Sequence, residues 1–133
     1  MKPILVVDDE AIVRESIRDW LNEAGYQTET AETGEEAIEM VGKRDFSMMV
    51  LDYILPGKSG IDVLREVKAL KPQIKCIMIT AFPSAKLNAE LKQLGALNDF
   101  LIKPVMMEKL EKIIKEKLAE IEAAPPAQRR TAI

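Results

Sequence analysis

Four polar features of this 133-residue chain stand directly behind short apolar runs: the pair Asp8-Asp9, then Asp52, Thr80 and Lys103. Each alone has an ordinary explanation. An acidic pair after a strand commonly opens a helix, an aspartate or threonine there commonly sits in a turn, and a single lysine is commonly solvated. Brought together, they form a chemical set. Three carboxylates in one place repel one another and raise the proton affinity of at least one, unless a cation lies among them. Mg2+, a hard ion that takes one or two carboxylates together with waters and phosphate oxygens, meets that need. One carboxylate is then free to attack phosphorus as a nucleophile. The ammonium and the hydroxyl supply the charge and hydrogen bonds on which phosphoryl transfer depends.

Such a set requires a framework that carries distant residues to one place. The runs Ile4–Val7, Met48–Leu51 and Ile77–Ile79 are continuously apolar, as expected for parallel strands covered by helices on both faces. Gln27–Ala31 is polar and Asn98–Ile102 begins polar, which suits the edges of a sheet. Segments of helical periodicity alternate with these five strands, so the expected fold class is α/β: a doubly wound (βα)5 unit with a five-stranded parallel sheet in the order 2-1-3-4-5. In an open parallel sheet, ligands bind beyond the carboxyl ends of the strands. Residues scattered from 8 to 103 therefore converge.

The helices carry start and stop signals. Thr33 with Glu36 forms a capping box, and Ser59 and Ser84 are similar starts. Ile12, Val13, Ile17, Trp20 and Leu21 are read as the core stripe of the first helix, ended by a left-handed Gly25. Leu110, Ile113, Ile114, Leu118 and Ile121 mark one face of the last helix, with Glu108–Lys112 and Glu111–Lys115 pairs beside it. Leu55-Pro56-Gly57 is a turn. Met40, Met48, Met49, Met78, Met106 and Met107 are read as core or near-core fillers.

The composition, 47% hydrophobic and 31% charged, fits one domain with a real core. A net charge of -3 gives no overall attraction for nucleic acid or an anionic membrane. Cys76, alone of its kind, cannot form an internal disulfide, and the absence of histidine excludes a phosphohistidine or a Ser-His or Cys-His pair within this chain. The amino terminus is too short in apolar residues for a signal-peptide core or a membrane span. From Ala123 onward, Ala-Ala-Pro-Pro-Ala-Gln-Arg-Arg reads as a tail or linker.

In order along the chain, Asp8-Asp9-Glu10, the stretch Asp52-Tyr53-Ile54-Leu55-Pro56-Gly57-Lys58-Ser59-Gly60, Thr80-Ala81-Phe82 and Lys103-Pro104 resemble the motifs of the receiver domain of two-component response regulators, the CheY-like family. The resemblance runs from about Lys2 to Ala119. It implies a flavodoxin-like sandwich over residues 1–121, with 122–133 a disordered tail or truncated linker. It also implies that Asp52 is phosphorylated by a sensor histidine kinase or phosphotransfer protein. Mg2+ would be held by Asp52, by Asp9 directly, by Asp8 partly through water and by the Ile54 carbonyl. Thr80 and Lys103 would hold the phosphoryl group, the Lys103–Pro104 bond being cis. Thr80 and Phe100 would form a switch acting on the surface of the fourth helix, fifth strand and fifth helix, read by a downstream protein or domain. The resemblance further implies a cytoplasmic signalling domain, catalysing only its own phosphorylation and dephosphorylation. Neither membrane nor nucleic acid is expected as a direct partner; a homodimer is left open.

Three alternatives fit less well. Aspartate phosphatases like the haloacid dehalogenases need a second acid two residues after the nucleophile, where this chain has Ile54. A flavodoxin-like flavin binder must cradle a phosphate where Asp8-Asp9-Glu10 would repel one. A degenerate receiver, acting only as a binding module, would not need the full set. Phe100 lacks a hydroxyl, so an inward ring buries no polar group. Ile54 and Phe82 cannot orient a hydrolytic water, so slow self-dephosphorylation is expected.

Overall fold

The computed structural model describes residues 2–95 and 100–123. Five strands and five helices alternate: β1 Ile4–Val7, α1 Ala11–Glu23, β2 Thr28–Ala31, α2 Gly34–Lys43, β3 Met48–Asp52, α3 Gly60–Leu70, β4 Lys75–Thr80, α4 Ala85–Gln93, β5 Phe100–Ile102 and α5 Met107–Ala123. All strand pairings are parallel, and the sheet order is β2-β1-β3-β4-β5, as expected from the sequence. Asn98 and Asp99, expected at the start of the last strand, lie outside the described residues. So do residues 124–133, while α5 continues through Ala123.

Successive strand residues face opposite sides of a sheet, and the central strands feed two separate cores. Leu5, Val7, Met49, Leu51, Cys76 and Met78 join Ala37, Val41, Leu64, Val67, Leu87 and Leu91 beneath α2, α3 and α4. Ile4, Val6, Met48, Val50, Ile77 and Ile79 join Ile17, Leu21, Leu110 and Ile114 beneath α1 and α5. This double coverage explains why β1, β3 and β4 read as unbroken apolar runs. β2 is only half-buried over most of its length, consistent with its place at the edge.

The expected start signals operate as local switches from strand to helix. Thr33, Ser59 and Ser84 each accept a hydrogen bond from the backbone N–H three residues on, at Glu36, Asp62 and Leu87. Gly25 is left-handed with φ 98°. The Lys103–Pro104 peptide is cis. Glu111 and Lys115 pair at 3.2 Å, and Glu111 also accepts the indole N–H of Trp20 at 2.8 Å, tying α5 to α1.

Two apolar assignments need correction. Ile12 is 82% exposed rather than core. The buried face of α1 runs through Arg14, Ile17 and Leu21, and at about 100° per residue Ile12 points some 200° from Arg14, away from the sheet. Met106 is likewise exposed, because it lies in the segment preceding α5, while Leu110 and Ile114 supply that helix's buried face.

Candidate functional site

β1 and β3 lie side by side in the sheet, Val7 opposite Leu51, so the acids that follow them emerge together at its carboxyl edge. Asp8 and Asp52 are almost fully buried. Asp8 is tightly held: its N–H donates to the Ala31 carbonyl at 3.2 Å, and its Oδ1 accepts the Glu10 N–H at 2.9 Å. Its Oδ2 is buried with no hydrogen-bond partner among the described residues. Asp52 Oδ1 accepts the Ile54 N–H at 3.2 Å, turning the chain away from β3.

Close backbone approach then sets the path from β3 into α3. Gly60 N–H donates to the Tyr53 carbonyl at 2.6 Å. A Cβ at Gly60 would stand 2.6 Å from the Asp52 carbonyl oxygen and 2.8 Å from Tyr53 Cα, so the start of α3 can lie against the end of β3 only with glycine here. Gly57, with φ 80°, completes the intervening turn.

Lys103 arrives from β5 through its backbone bond to the Thr80 carbonyl. Its Nζ lies 2.8 Å from Asp52 Oδ2, 3.3 Å from Glu10 Oε1 and 3.7 Å from Asp8 Oδ2. Thr80 is buried at the end of β4; its hydroxyl oxygen accepts the Phe82 N–H at 3.0 Å, leaving its proton free to donate.

The electrostatics follow from burial. Removal from water, with Asp52 and Glu10 nearby, pushes the Asp8 carboxyl up to about 6, although the Glu10 N–H and Lys103 oppose the shift. Burial by itself would lower the proton affinity of Lys103, but its bond to Asp52 and the charges of Asp52 and Asp8 raise it overall.

The structure thus gathers Asp8, Asp52, Thr80 and Lys103. Asp8, Glu10 and Asp52 each offer a carboxylate oxygen within 4.8 Å of the others, an all-oxygen set able to hold a metal ion. Asp9 is exposed and lies outside that trio. Glu10 stands in it, an acid that the sequence places in the motif but not among the expected ligands; its position directly after the acidic pair is the available signal. Ile54 is 55% exposed at the rim, and Phe100 is half-buried against the core beneath α4. Arg14 is a further residue outside the expected set, a buried arginine on α1 whose Nη1 donates to the Asp8 carbonyl at 2.9 Å.

A parallel sheet whose edge gathers acids, a lysine and a buried hydroxyl defines the class, and comparison with known proteins agrees. The family model of the response regulator receiver domain matches residues 4–115. This chain belongs to that family and is a receiver domain of two-component signalling. It is 34% identical over 115 residues to sporulation initiation phosphotransferase F of Bacillus subtilis, covering 86% of this chain and 92% of that protein. It is 36% identical over 131 residues to the transcriptional regulatory protein ZraR of Escherichia coli O157:H7, covering 93% of this chain but only 29% of that longer protein. Among solved structures, a CheY-like receiver domain from Methanospirillum hungatei matches with a TM-score of 0.86 and 32% identity, covering 90% of this chain and 95% of the other. The response regulator TrrA of Thermotoga maritima, solved in complex with Mg2+ and BeF, matches at 0.77 and 34%, covering 88% and 99%. No helix among the described residues is long and apolar enough to cross a membrane.

Proposed function

We propose that Asp52 accepts a phosphoryl group from a histidine kinase or phosphotransfer protein, and that Mg2+ is the resident cation. The observation that carries this reading is the buried Oδ2 of Asp8, which has no hydrogen bond among the described residues and only a 3.7 Å ion pair to Lys103, in an acidic trio with Asp52 and Glu10: a desolvated carboxylate oxygen whose natural complement is a divalent ion. Asp8 and Asp52 would hold the ion, with Asp9 and the Ile54 carbonyl as the further ligands the family resemblance suggests and Glu10 as an additional candidate. The ion, when bound, would neutralise the acids and the phosphoryl oxygens.

The chain's own residues do the rest. An Asp52 carboxylate oxygen bonds to phosphorus as the phosphorus bond to the donor nitrogen breaks, leaving the donor histidine neutral and an aspartyl phosphate on this chain. Lys103 exchanges its contact with the carboxylate for a phosphoryl oxygen, and Thr80 donates its free proton to another. The product adds about -1.5 to -2 of charge at the sheet edge. Movement of Thr80 towards that charge would let the half-buried Phe100 repack and alter the surface of α4, β5 and α5, where Ile102 and Met106 are exposed to a target.

A protein donor is favoured by the apolar rim. Ile12, Ile54 and Phe82 are all more than half exposed, and a cleft of about 500 Å³ lined by Ile12, Val13, Val105 and Met107 reaches Lys103. The chain would act as a signalling domain over residues 1–121, in the cytoplasm, with no direct hold on nucleic acid.

The test is incubation with acetyl phosphate and Mg2+, followed by intact mass, for wild type and Asp52→Ala. A gain of one phosphoryl group that depends on Mg2+ and vanishes in D52A is expected. A gain that survives the substitution overturns the assignment.

A further inference from the structure

Among the described residues, Arg14 is the buried charged side chain that phosphoryl transfer itself does not use. It lies on the core-facing side of α1, only 8% exposed, in line with Ile17 and Leu21. A charge is not placed there cheaply unless its hydrogen bonds are met. One donor, Nη1, meets the Asp8 carbonyl at 2.9 Å; Nη2 reaches Glu32, just beyond the end of β2, at 3.4 Å.

We infer that Arg14 is a positioning residue for the divalent-ion site, acting through the Asp8–Asp9 peptide. Asp8 is pinned at three of its polar groups. Its N–H is fixed on the Ala31 carbonyl and its Oδ1 on the Glu10 N–H. Its carbonyl is fixed by Arg14, which leaves Oδ2 as the oxygen without a hydrogen bond among the described residues, 3.7 Å from the Lys103 ammonium. Because the peptide unit is planar, holding the Asp8 carbonyl also fixes the plane that carries the Asp9 nitrogen and α-carbon. The direction in which the β1–α1 connection presents Asp8, Asp9 and Glu10 is therefore set from beneath by one guanidinium. Its planar fork sets two separate nitrogens, one on each of two acceptors beyond the ends of β1 and β2, where an ammonium offers a single point. The influence is geometric: burial, the Glu10 N–H, Asp52, Lys103 and Glu10 account for the shifted proton affinity of Asp8, and Arg14 is not among these causes.

This inference rests on the proposed divalent-ion site, so the experiment separates the two. Mn2+ is titrated into the ion-free protein and free Mn2+ is followed by electron paramagnetic resonance, for wild type, Arg14→Gln and Arg14→Lys, each shown to be folded by circular dichroism. Partners that orient metal ligands typically change affinity about 10–100-fold when removed. R14Q is expected to bind Mn2+ at least about tenfold more weakly, and R14K to fall between it and wild type. At saturating Mg2+ the rate of phosphorylation by acetyl phosphate should recover in R14Q, separating ion affinity from chemistry. Wild-type affinity in folded R14Q, or in R14K should R14Q not fold, overturns the role of Arg14. A variant that melts earlier but binds Mn2+ normally also overturns it, since that marks a purely structural residue. If wild type itself takes up no Mn2+, the ion site fails and this inference fails with it.

Discussion

Lys103 Nζ lies 2.8 Å from Asp52 Oδ2, joining side chains 51 positions apart in sequence, at the ends of β3 and β5 with β4 between them. The ammonium does in the ion-free protein part of what a divalent cation would do, offsetting the repulsion among acids held side by side. Removing it leaves Asp8 and Asp52 buried with less compensation. Lys103→Met should destabilise the ion-free protein by about 1–3 kcal/mol, less than a fully buried pair because the amine keeps some contact with water. Urea unfolding in chelator measures this, and added Mg2+ should restore much of the loss. An unchanged midpoint in chelator would contradict the account.

Asp8 sets a pH dependence of definite sign. Its folded-state pKa, about 6, lies above the ordinary 3.8, so the folded protein holds this proton more tightly than the unfolded chain. The associated stability is fully present below about 4 and is lost as pH rises through about 6. In chelator, wild type should therefore lose stability relative to Asp8→Asn between pH 4 and 7, the variant being the more stable at pH 7 by about 1–3 kcal/mol. Parallel stability curves for the two proteins would show that the group titrates normally.

At Gly60 the obstruction to a side chain is backbone, which cannot swing aside. Gly60→Ala should cost about 1–3 kcal/mol as an overpacked contact and slow phosphoryl uptake by displacing the end of β3. Gly25→Ala provides the contrast, since nothing lies within 4 Å of its Cβ position and only the positive φ is strained. It should cost about 1–2 kcal/mol and leave uptake unchanged. Melting curves and acetyl phosphate kinetics on both proteins decide the point.

The aspartyl phosphate should be long-lived, because Ile54 and Phe82, exposed two residues beyond Asp52 and Thr80, can neither hold nor activate water. Ile54→Asn introduces an amide able to hydrogen-bond a water molecule at the rim and should shorten the lifetime severalfold. Loss of the phosphoryl mass with time, after the small-molecule donor is removed, gives both rates. Equal decay in the two proteins would remove position 54 from the account.

Much of the framework is legible in the sequence because period and punctuation agree. Unbroken apolar runs mark the doubly covered strands, and Thr33, Ser59 and Ser84 mark helix starts through chemistry local to a few residues. The convergence of Asp8, Asp52, Thr80 and Lys103 comes from strand order. The hidden part depends on rotation rather than composition. Ile12 has the residue type of a core position but points away from the sheet, and Arg14 has the type of a surface position but points towards it. Glu10 is obscure for the same reason: adjacency to the acidic pair does not reveal which of three successive acids reaches over to Asp52.

The division of the strands' side chains between opposite faces has a consequence for how this chain can change. Apolar substitutions beneath α1 and α5 have few shared neighbours with those beneath α2, α3 and α4, so their effects on stability should sum independently. The packing under one pair of helices can therefore drift without disturbing what lies under the other three.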